Sequence, residues 1–180
     1  NYDGVEIIGS AGYFVSTFFV NKTNLRTDEY GGCFPNKIRI ATEIVEGIRK
    51  SVGEDFLIIF RIPAMDMLEG GMSWEEICTL GQALENSGVS IVSTHFSWHE
   101  SPVPTIATMV PRAAFTSVTK RLKSFINVPV ITSNRINMPD VAENVLANGD
   151  ADLVSMARPF LADGKIFEKI KEGREEEINT

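Results

Sequence analysis

The segment GVEIIGSAGY, residues 4–13, contains the pattern from which the fold of this chain can be predicted. Its apolar start, Gly4–Ile8, predicts a buried β-strand. Gly9 and Gly12 free the backbone for a sharp turn, and Tyr13 stands directly after that turn. A polar aromatic residue just past the end of a strand is a candidate for a functional site.

The same alternation of an apolar run and a turn recurs along the chain. Further strands are predicted at Phe56–Arg61, Ser90–Thr94, Val128–Ile131 and Asp152–Ser155. Each run is nearly continuous in apolar character, as is typical of parallel strands buried on both faces. Helices are predicted between them at Asn36–Lys50, from the capping box of Ser73 and Glu76 onwards, and at Asn137–Asn148.

Five strand-and-helix units joined by right-handed crossovers predict a parallel α/β sheet. Either an open doubly wound sheet or part of an eight-unit barrel would fit. Polar residues follow every strand, at the end where barrels hold their active sites, and no Gly-x-Gly-x-x-Gly turn follows any strand. A complete barrel usually takes about 250 residues. Residues 1–180 are therefore predicted to be one partial TIM-barrel domain, the later part of a (β/α)8 barrel.

Composition limits the function further. There are 24 acidic and 17 basic residues, giving a net charge of -7, which argues against a nucleic-acid partner. No apolar stretch approaches the roughly 18 residues of a membrane helix. Cys33 and Cys78 are too few for a disulfide framework, so we expect a reducing, cytoplasmic location. No spacing typical of a metal site occurs, and a first residue other than Met suggests a piece of a longer protein.

Arg61 is a candidate anion ligand at the end of the second predicted strand. A buried arginine is costly unless an anion or carboxylate faces it. A bound ligand and a structural salt bridge to Asp66 or Glu69 explain it equally well at this point.

Arg135 and Arg158 follow the fourth and fifth predicted strands. If these are the last two strands of a barrel, both arginines lie where barrels commonly bind phosphate. The alternative, surface pairing with Asp140 or Asp163, would contribute little energy and would not explain both positions. Phosphate binding is the favoured prediction.

Two histidines lie near the third predicted strand. His99, in the loop FSWHESPVP, is either a catalytic or a packing residue, and His95, which closes the strand, is predicted to pack. Spacing alone makes Tyr13 a pocket-lining aromatic residue with a satisfied hydroxyl. The aromatic residues after it are most simply helix core: Phe14, Phe18 and Phe19.

Several long motifs resemble the flavin barrel of the old yellow enzyme family, specifically its bacterial 2,4-dienoyl-CoA reductase branch. They are DGVEIIGSAGYFVSTFF, TNLRTDEYGG, SWHESPVPTIATMVPRAAF, VITSNRIN and GDADLVSMARPFLADG. The resemblance covers essentially the whole chain. It implies an FMN-binding barrel of which this chain holds the fourth to eighth units.

The resemblance also implies roles for individual residues. Tyr13 would be the proton donor, with His99 as its partner. The FMN-contacting positions would be Arg61, Arg135, Ala157 and Arg158. A 4Fe-4S cluster, FAD and NADPH would belong to later parts of a longer protein.

The expected activity is reduction of conjugated carbon–carbon double bonds, with 2,4-dienoyl-CoA thioesters as substrate. Simple ene-reductases carry a His-His or His-Asn pair before the tyrosine, whereas Ile8 and Ala11 stand here, which disfavours small enones. Another enone reductase or NADH oxidase, acting for example on a steroid-like CoA ester, and a non-catalytic barrel remnant remain as alternatives.

Overall fold

The computed structural model describes residues 2–179. The strands of this part of the chain are β1 (Gly4–Ile8), β2 (Leu57–Met65), β3 (Ile91–Phe96), β4 (Val130–Thr132) and β5 (Leu153–Val154). The α-helices are α1 (Phe34–Val52), α2 (Trp74–Asn86), α3 (Thr116–Lys123), α4 (Pro139–Ala147), α5 (Arg158–Ala162) and α6 (Ile166–Lys171). Short 3-10 turns occur at Ser16–Phe18 and Glu175–Glu177. No helix among residues 2–179 is both long and apolar enough to cross a membrane.

The order of the strands distinguishes the two predicted architectures. The sheet runs β1-β2-β3-β4-β5 and every neighbouring pair is parallel. A doubly wound sheet reverses its strand order at a switch point, whereas this order advances in one direction only. Successive right-handed crossovers then place the helices on one face, as in the wall of a barrel. The predicted partial TIM barrel is confirmed.

The hydrophobic core lies between the outer face of the sheet and the helices. Ile58, Phe60 and Ile62 alternate along β2 and are fully buried. They pack in one cluster with Ala41 and Val45 of α1 and with the apolar residues of α2. The cluster also includes Leu80, Leu84, Val92 and Leu122. The predicted helical stripes therefore face the sheet.

The inner face of the sheet differs from the prediction of strands buried on both sides. Ile59, Arg61, Ser93 and His95 alternate with the core residues and so point to the barrel interior. Ile59, Arg61 and His95 are only half-buried. The inner face is therefore polar towards the carboxyl ends of β2 and β3.

The bounds of the elements correct several expectations. β2 continues to Met65, so Arg61 lies inside the strand rather than at its end. The capping box of Ser73 and Glu76 is confirmed, since Ser73 Oγ accepts from the Glu76 N–H and Glu76 Oε2 accepts from the Ser73 N–H. Among the three aromatic residues predicted as helix core, Phe19 is buried at 1% exposure but Phe14 is 69% exposed. They lie in and around the 3-10 turn Ser16–Phe18, which is too short to form a continuous buried stripe.

Candidate active site

Tyr13 is held by a tight turn after β1. Ala11 and Gly12 both have positive φ, at 64° and 87°. A Cβ on Gly12 would lie 2.9 Å from Trp98 Cε3, so this position needs glycine for its packing as well as its conformation. Ser16, which is 1% exposed, fixes the turn because its Oγ donates towards the carbonyls of Tyr13 and Ser10 and accepts from the Gly12 N–H.

The turn brings Tyr13 against His99. Their ring centroids lie 4.9 Å apart with an angle of 79° between the planes. His99 comes from the loop after β3, and its backbone N–H donates to the carbonyl of Ala11. Tyr13 is 51% exposed, so its ring can meet a ligand. The structure therefore places side by side the two residues predicted as proton donor and partner.

Asp66 anchors the loop that contains His99. This carboxylate is 4% exposed and accepts a hydrogen bond of 2.8 Å from the Trp98 indole N–H and one of 2.9 Å from the Met72 N–H. The Trp98 backbone N–H also donates to the Asp66 carbonyl. Burial raises the pKa of Asp66, although both hydrogen bonds oppose that shift. Asp66 thus positions Trp98, and Trp98 positions its neighbour His99.

A cavity of about 190 Å³, lined by three arginines, lies at the carboxyl ends of β4 and β5. Its lining includes all the positions predicted to contact FMN: Arg61, Arg135, Ala157 and Arg158. Asn134 and Arg135, with φ of 67° and 59°, form the turn after β4. Left-handed backbone at non-glycine residues is costly and is concentrated at functional sites. The structure thus brings the predicted FMN contacts together.

The two arginines beyond the last strands hold the loop between β3 and α3. Arg135 Nε donates to the Val110 carbonyl at 2.9 Å, and Arg158 Nη1 donates to the Ile106 carbonyl at 3.2 Å. Asp163 instead pairs with Lys169. Among residues 2–179 neither arginine forms an ion pair with Asp140 or Asp163, so the surface-pairing alternative was wrong.

Arg61 has a carboxylate partner, but a different one from either residue considered in the sequence. Its Nε and Nη2 donate to the two carboxylate oxygens of Glu6 at 3.0 and 2.8 Å. Asp66 and Glu69 therefore do not pair with it. Because the Glu6 contact uses one edge of the guanidinium, Arg61 keeps Nη1 for a ligand in the cavity it lines.

His95 is placed differently from the prediction that it packs. It is half-buried and lines both the arginine-lined cavity and a second cavity of about 400 Å³ that also includes Ala11 and His99. Burial, the Arg61 guanidinium and His99 lower the pKa of His95 to about 4. Its imidazole is therefore neutral near pH 7.

The chemistry of these residues fits FMN. A phosphate monoester needs cations and N–H donors, and Arg135 and Arg158 supply guanidiniums that no described carboxylate neutralises. The second cavity continues towards Tyr13 and His99 and offers the apolar side chains of Val103 and Ile106. The arginine-lined cavity that suits a phosphate and the cavity near Tyr13 and His99 thus lie at the same edge of the sheet.

Three residues that position the site were not predicted from the sequence: Ser16, Asp66 and Trp98. Asp66 had a usable signal, because it follows directly on β2 at the carboxyl end. Ser16 had none, since its role depends on which carbonyls the turn brings within reach. The pairing of Trp98 with Asp66 joins two loops that are 32 residues apart in sequence.

Comparison with known proteins agrees with the fold. An α/β barrel with an arginine-lined cavity and a tyrosine–histidine pair at its carboxyl edge is typical of TIM-barrel flavoenzymes. The chain belongs to the NADH:flavin oxidoreductase / NADH oxidase family, which matches residues 1–177. This is an FMN-dependent oxidoreductase family that includes old yellow enzyme-like proteins.

Individual relatives carry several different activities in their names. A metal reductase of Desulforamulus reducens is 41% identical over 177 residues, covering 98% of this chain and 26% of the relative. An NADH oxidase of Thermoanaerobacter brockii is 36% identical, covering 98% and 27%. The structure of a 2-naphthoyl-CoA reductase in complex with 2-naphthoyl-CoA has a TM-score of 0.95 at 35% identity, covering 99% of this chain and 27% of that one. The chain thus spans about a quarter of the length of these relatives.

Proposed function

We propose that this chain is part of a flavin-dependent reductase of conjugated carbon–carbon double bonds in acyl-CoA thioesters, with 2,4-dienoyl-CoA as the expected substrate. The observation that carries the proposal is the contact between Tyr13 and His99, 4.9 Å between ring centroids, beside the larger cavity that His99 lines. A similar barrel was solved with an aromatic acyl-CoA thioester, and a cinnamate reductase of Clostridium sporogenes is 30% identical. Both relatives act on conjugated acids or their thioesters, by their names.

FMN, when bound, would supply the hydride for this reduction. Arg135 and Arg158 would hold its phosphate, Ala157 would contribute the backbone at the start of α5, and Arg61 would contact the ring from the interior. An arginine near the ring favours a negatively charged reduced flavin. Glu6 fixes the orientation of the Arg61 guanidinium through two hydrogen bonds.

Tyr13 would protonate the carbon next to the thioester. An unperturbed phenol has a pKa of about 10, which makes it a poor acid at neutral pH. The His99 ring lies against the Tyr13 ring and would stabilise the phenolate as the proton leaves. Ser16 holds the Tyr13 backbone and Asp66 holds the loop of His99, so the backbone positions of both residues are fixed.

The test is single-turnover oxidation of the reduced full-length protein by a 2,4-dienoyl-CoA. General acid catalysis contributes about 10²–10⁴-fold, so Tyr13→Phe should slow this step within that range while FMN content stays near the parent value. Tyr2→Phe, at a tyrosine that is 89% exposed, is the matched control and should not slow it. His99→Ala should slow the same step and spare reduction by the electron donor. A parental rate for Tyr13→Phe would contradict the proposed role.

A second candidate is electron transfer to oxygen or a metal ion, favoured by the NADH oxidase and metal reductase among the relatives. No carbon is protonated in those reactions. Tyr13→Phe should therefore leave oxidation by oxygen or ferric chelates unchanged. If these acceptors support turnover and dienoyl-CoA does not, the second candidate replaces the first, and a full-length protein without bound flavin would favour a non-catalytic barrel.

Domain extent and context stay predictions for the full-length protein. Residues 1–180 would form part of one FMN-binding domain. A 4Fe-4S cluster, FAD and NADPH would supply electrons from other parts of that protein, and its location would be cytoplasmic.

A further inference from the structure

His95 lies on the inner face of the sheet, two residues after Ser93 on β3. Side chains two apart on a strand share a face, and both residues line the arginine-lined cavity. His95 also lines the larger cavity beside Tyr13 and His99, together with Ile106 and Asn134. These are the residues that the two cavities share: His95, Ile106 and Asn134.

A ligand that reaches both ends of the proposed site must pass these shared residues. Its phosphate would lie at Arg158 in the smaller cavity, and its ring would reach from Arg61 to the border with the larger cavity, where the substrate would bind. Ile106 offers the ligand no hydrogen bond. The Asn134 amide is already engaged at both ends, since its Nδ2 donates to Thr105 Oγ1 at 3.1 Å and its Oδ1 accepts from Ser133 Oγ at 3.0 Å.

His95 has the chemistry that the other two shared residues lack. A neutral imidazole carries one N–H donor and one acceptor nitrogen, and a flavin ring has both kinds of partner along its edge. Burial and the nearby Arg61 and His99 hold the pKa of His95 at about 4, which keeps the imidazole neutral over the physiological range. Its half-buried position leaves the ring accessible from the cavity.

We propose that His95 is a flavin-contacting residue, which hydrogen-bonds the ring of FMN between the phosphate site and Tyr13 and stabilises the reduced form of the flavin more than the oxidised form. This inference rests on the proposed function, because it takes FMN as the ligand of the arginine-lined cavity. An N–H donor favours the more electron-rich reduced ring for the same reason that a nearby cation does.

The test compares His95→Leu with His95→Gln in the full-length protein. Leucine fills similar space without a polar atom, whereas glutamine keeps a donor and an acceptor. One lost hydrogen bond should weaken binding of reduced FMN by up to about tenfold, with a smaller effect on oxidised FMN. A tenfold difference between the two forms lowers the two-electron potential by about 30 mV.

The measurements are the FMN dissociation constants in both redox states and the flavin midpoint potential. We expect His95→Leu to lower the potential and His95→Gln to restore most of it. An affinity and a potential equal to those of the parent in His95→Leu would overturn the inference. Equal shifts of the potential in both variants would also overturn it, because the imidazole would then act by its shape and not by a hydrogen bond. If the parent protein itself binds no FMN, the proposed function fails instead, and the two failures are therefore distinguishable.

Discussion

Replacement of Asp66 should both destabilise the barrel and disturb the loop of His99. Asp66 is 4% exposed and its carboxylate is the acceptor for the Trp98 indole N–H and for the Met72 N–H. Asp66→Ala removes both acceptors and leaves two donors without a protein partner. A buried donor without a partner costs about 1–3 kcal/mol.

The cost of losing the acceptor differs between the Trp98 and Met72 N–H groups. Trp98 is 6% exposed, so its indole N–H pays close to the full penalty. Met72 is half-buried, and water can replace part of its hydrogen bond. The free energy of unfolding should therefore fall by about 2–4 kcal/mol in Asp66→Ala. Asp66→Asn keeps an oxygen for one donor but turns an NH₂ group towards the other, so it should cost about half as much.

The assay is urea unfolding of the full-length protein, followed by release of flavin from the barrel. Glu69→Ala is the matched control, because Glu69 is an exposed carboxylate of the same loop and its loss should stay within about 0.5 kcal/mol. Oxidation of the reduced protein by dienoyl-CoA should also slow in Asp66→Ala. If neither Asp66 variant shifts the urea midpoint more than Glu69→Ala does, the anchoring role of Asp66 is refuted.

The difference in stability between the parent and Asp66→Asn should depend on pH, because the pKa of Asp66 is raised by burial. An unfolded aspartate titrates at about 3.9, so the folded protein holds this proton at higher pH than the unfolded chain does. Stability from this group is therefore present below the unfolded pKa and falls as the pH rises through the folded pKa. The parent should lose stability relative to Asp66→Asn across that interval, and a gain would contradict the argument.

The remaining predictions concern two arginines. Arg158→Ala in the full-length protein should weaken FMN binding by about 10- to 150-fold, which corresponds to a charge-assisted contact of about 1.5–3 kcal/mol. Lys171→Ala, at an exposed position of α6, is the control and should leave FMN binding unchanged. An unchanged flavin affinity in Arg158→Ala would exclude the assignment of Arg158 to the phosphate. Arg49 donates hydrogen bonds to the carbonyls of Gly53, Glu54, Phe56 and Gly88. Arg49→Met should therefore lower the free energy of unfolding by about 3–5 kcal/mol, whereas Lys50→Met, at an exposed neighbour, should change it little. Equal urea midpoints for the two variants would rule out a stabilising role of Arg49.

The positions of the strands could be predicted because each is an apolar run bounded by turn residues. β1 matches its predicted bounds, Gly4–Ile8, residue for residue. β2 was predicted four residues short, since Arg61 and Pro63 resemble the end of a strand although both lie within it. The carboxyl-end rule brought Arg135, Ala157 and Arg158 to one cavity, because parallel strands align their ends.

The side-chain partners could not be predicted in the same way. Arg61 pairs with Glu6, which lies 55 residues earlier, because β1 and β2 are in register with Ile8 beside Arg61. Register depends on the whole strand pair and not on local sequence. His95 was expected to pack because it closes a strand, but the alternation along β3 turns it to the open inner face. Position in the sequence was therefore a poor guide both to the partner of Arg61 and to the surroundings of His95.

The departures at Ile8 and Ala11 have a structural consequence for the proposed substrate. Ala11 lines the larger cavity and has φ of 64°, a conformation in which a bulky side chain would be strained. The cavity of about 400 Å³ next to Tyr13 is therefore bounded by a methyl group where simple ene-reductases place a polar residue that grips a carbonyl. Val103 and Ile106 add exposed apolar surface to the same cavity. A conjugated acyl chain gains binding energy from such an apolar surface, whereas a small enone would lack the hydrogen bonds that orient it. This difference favours a thioester, because its CoA part supplies binding energy away from the reacting carbons.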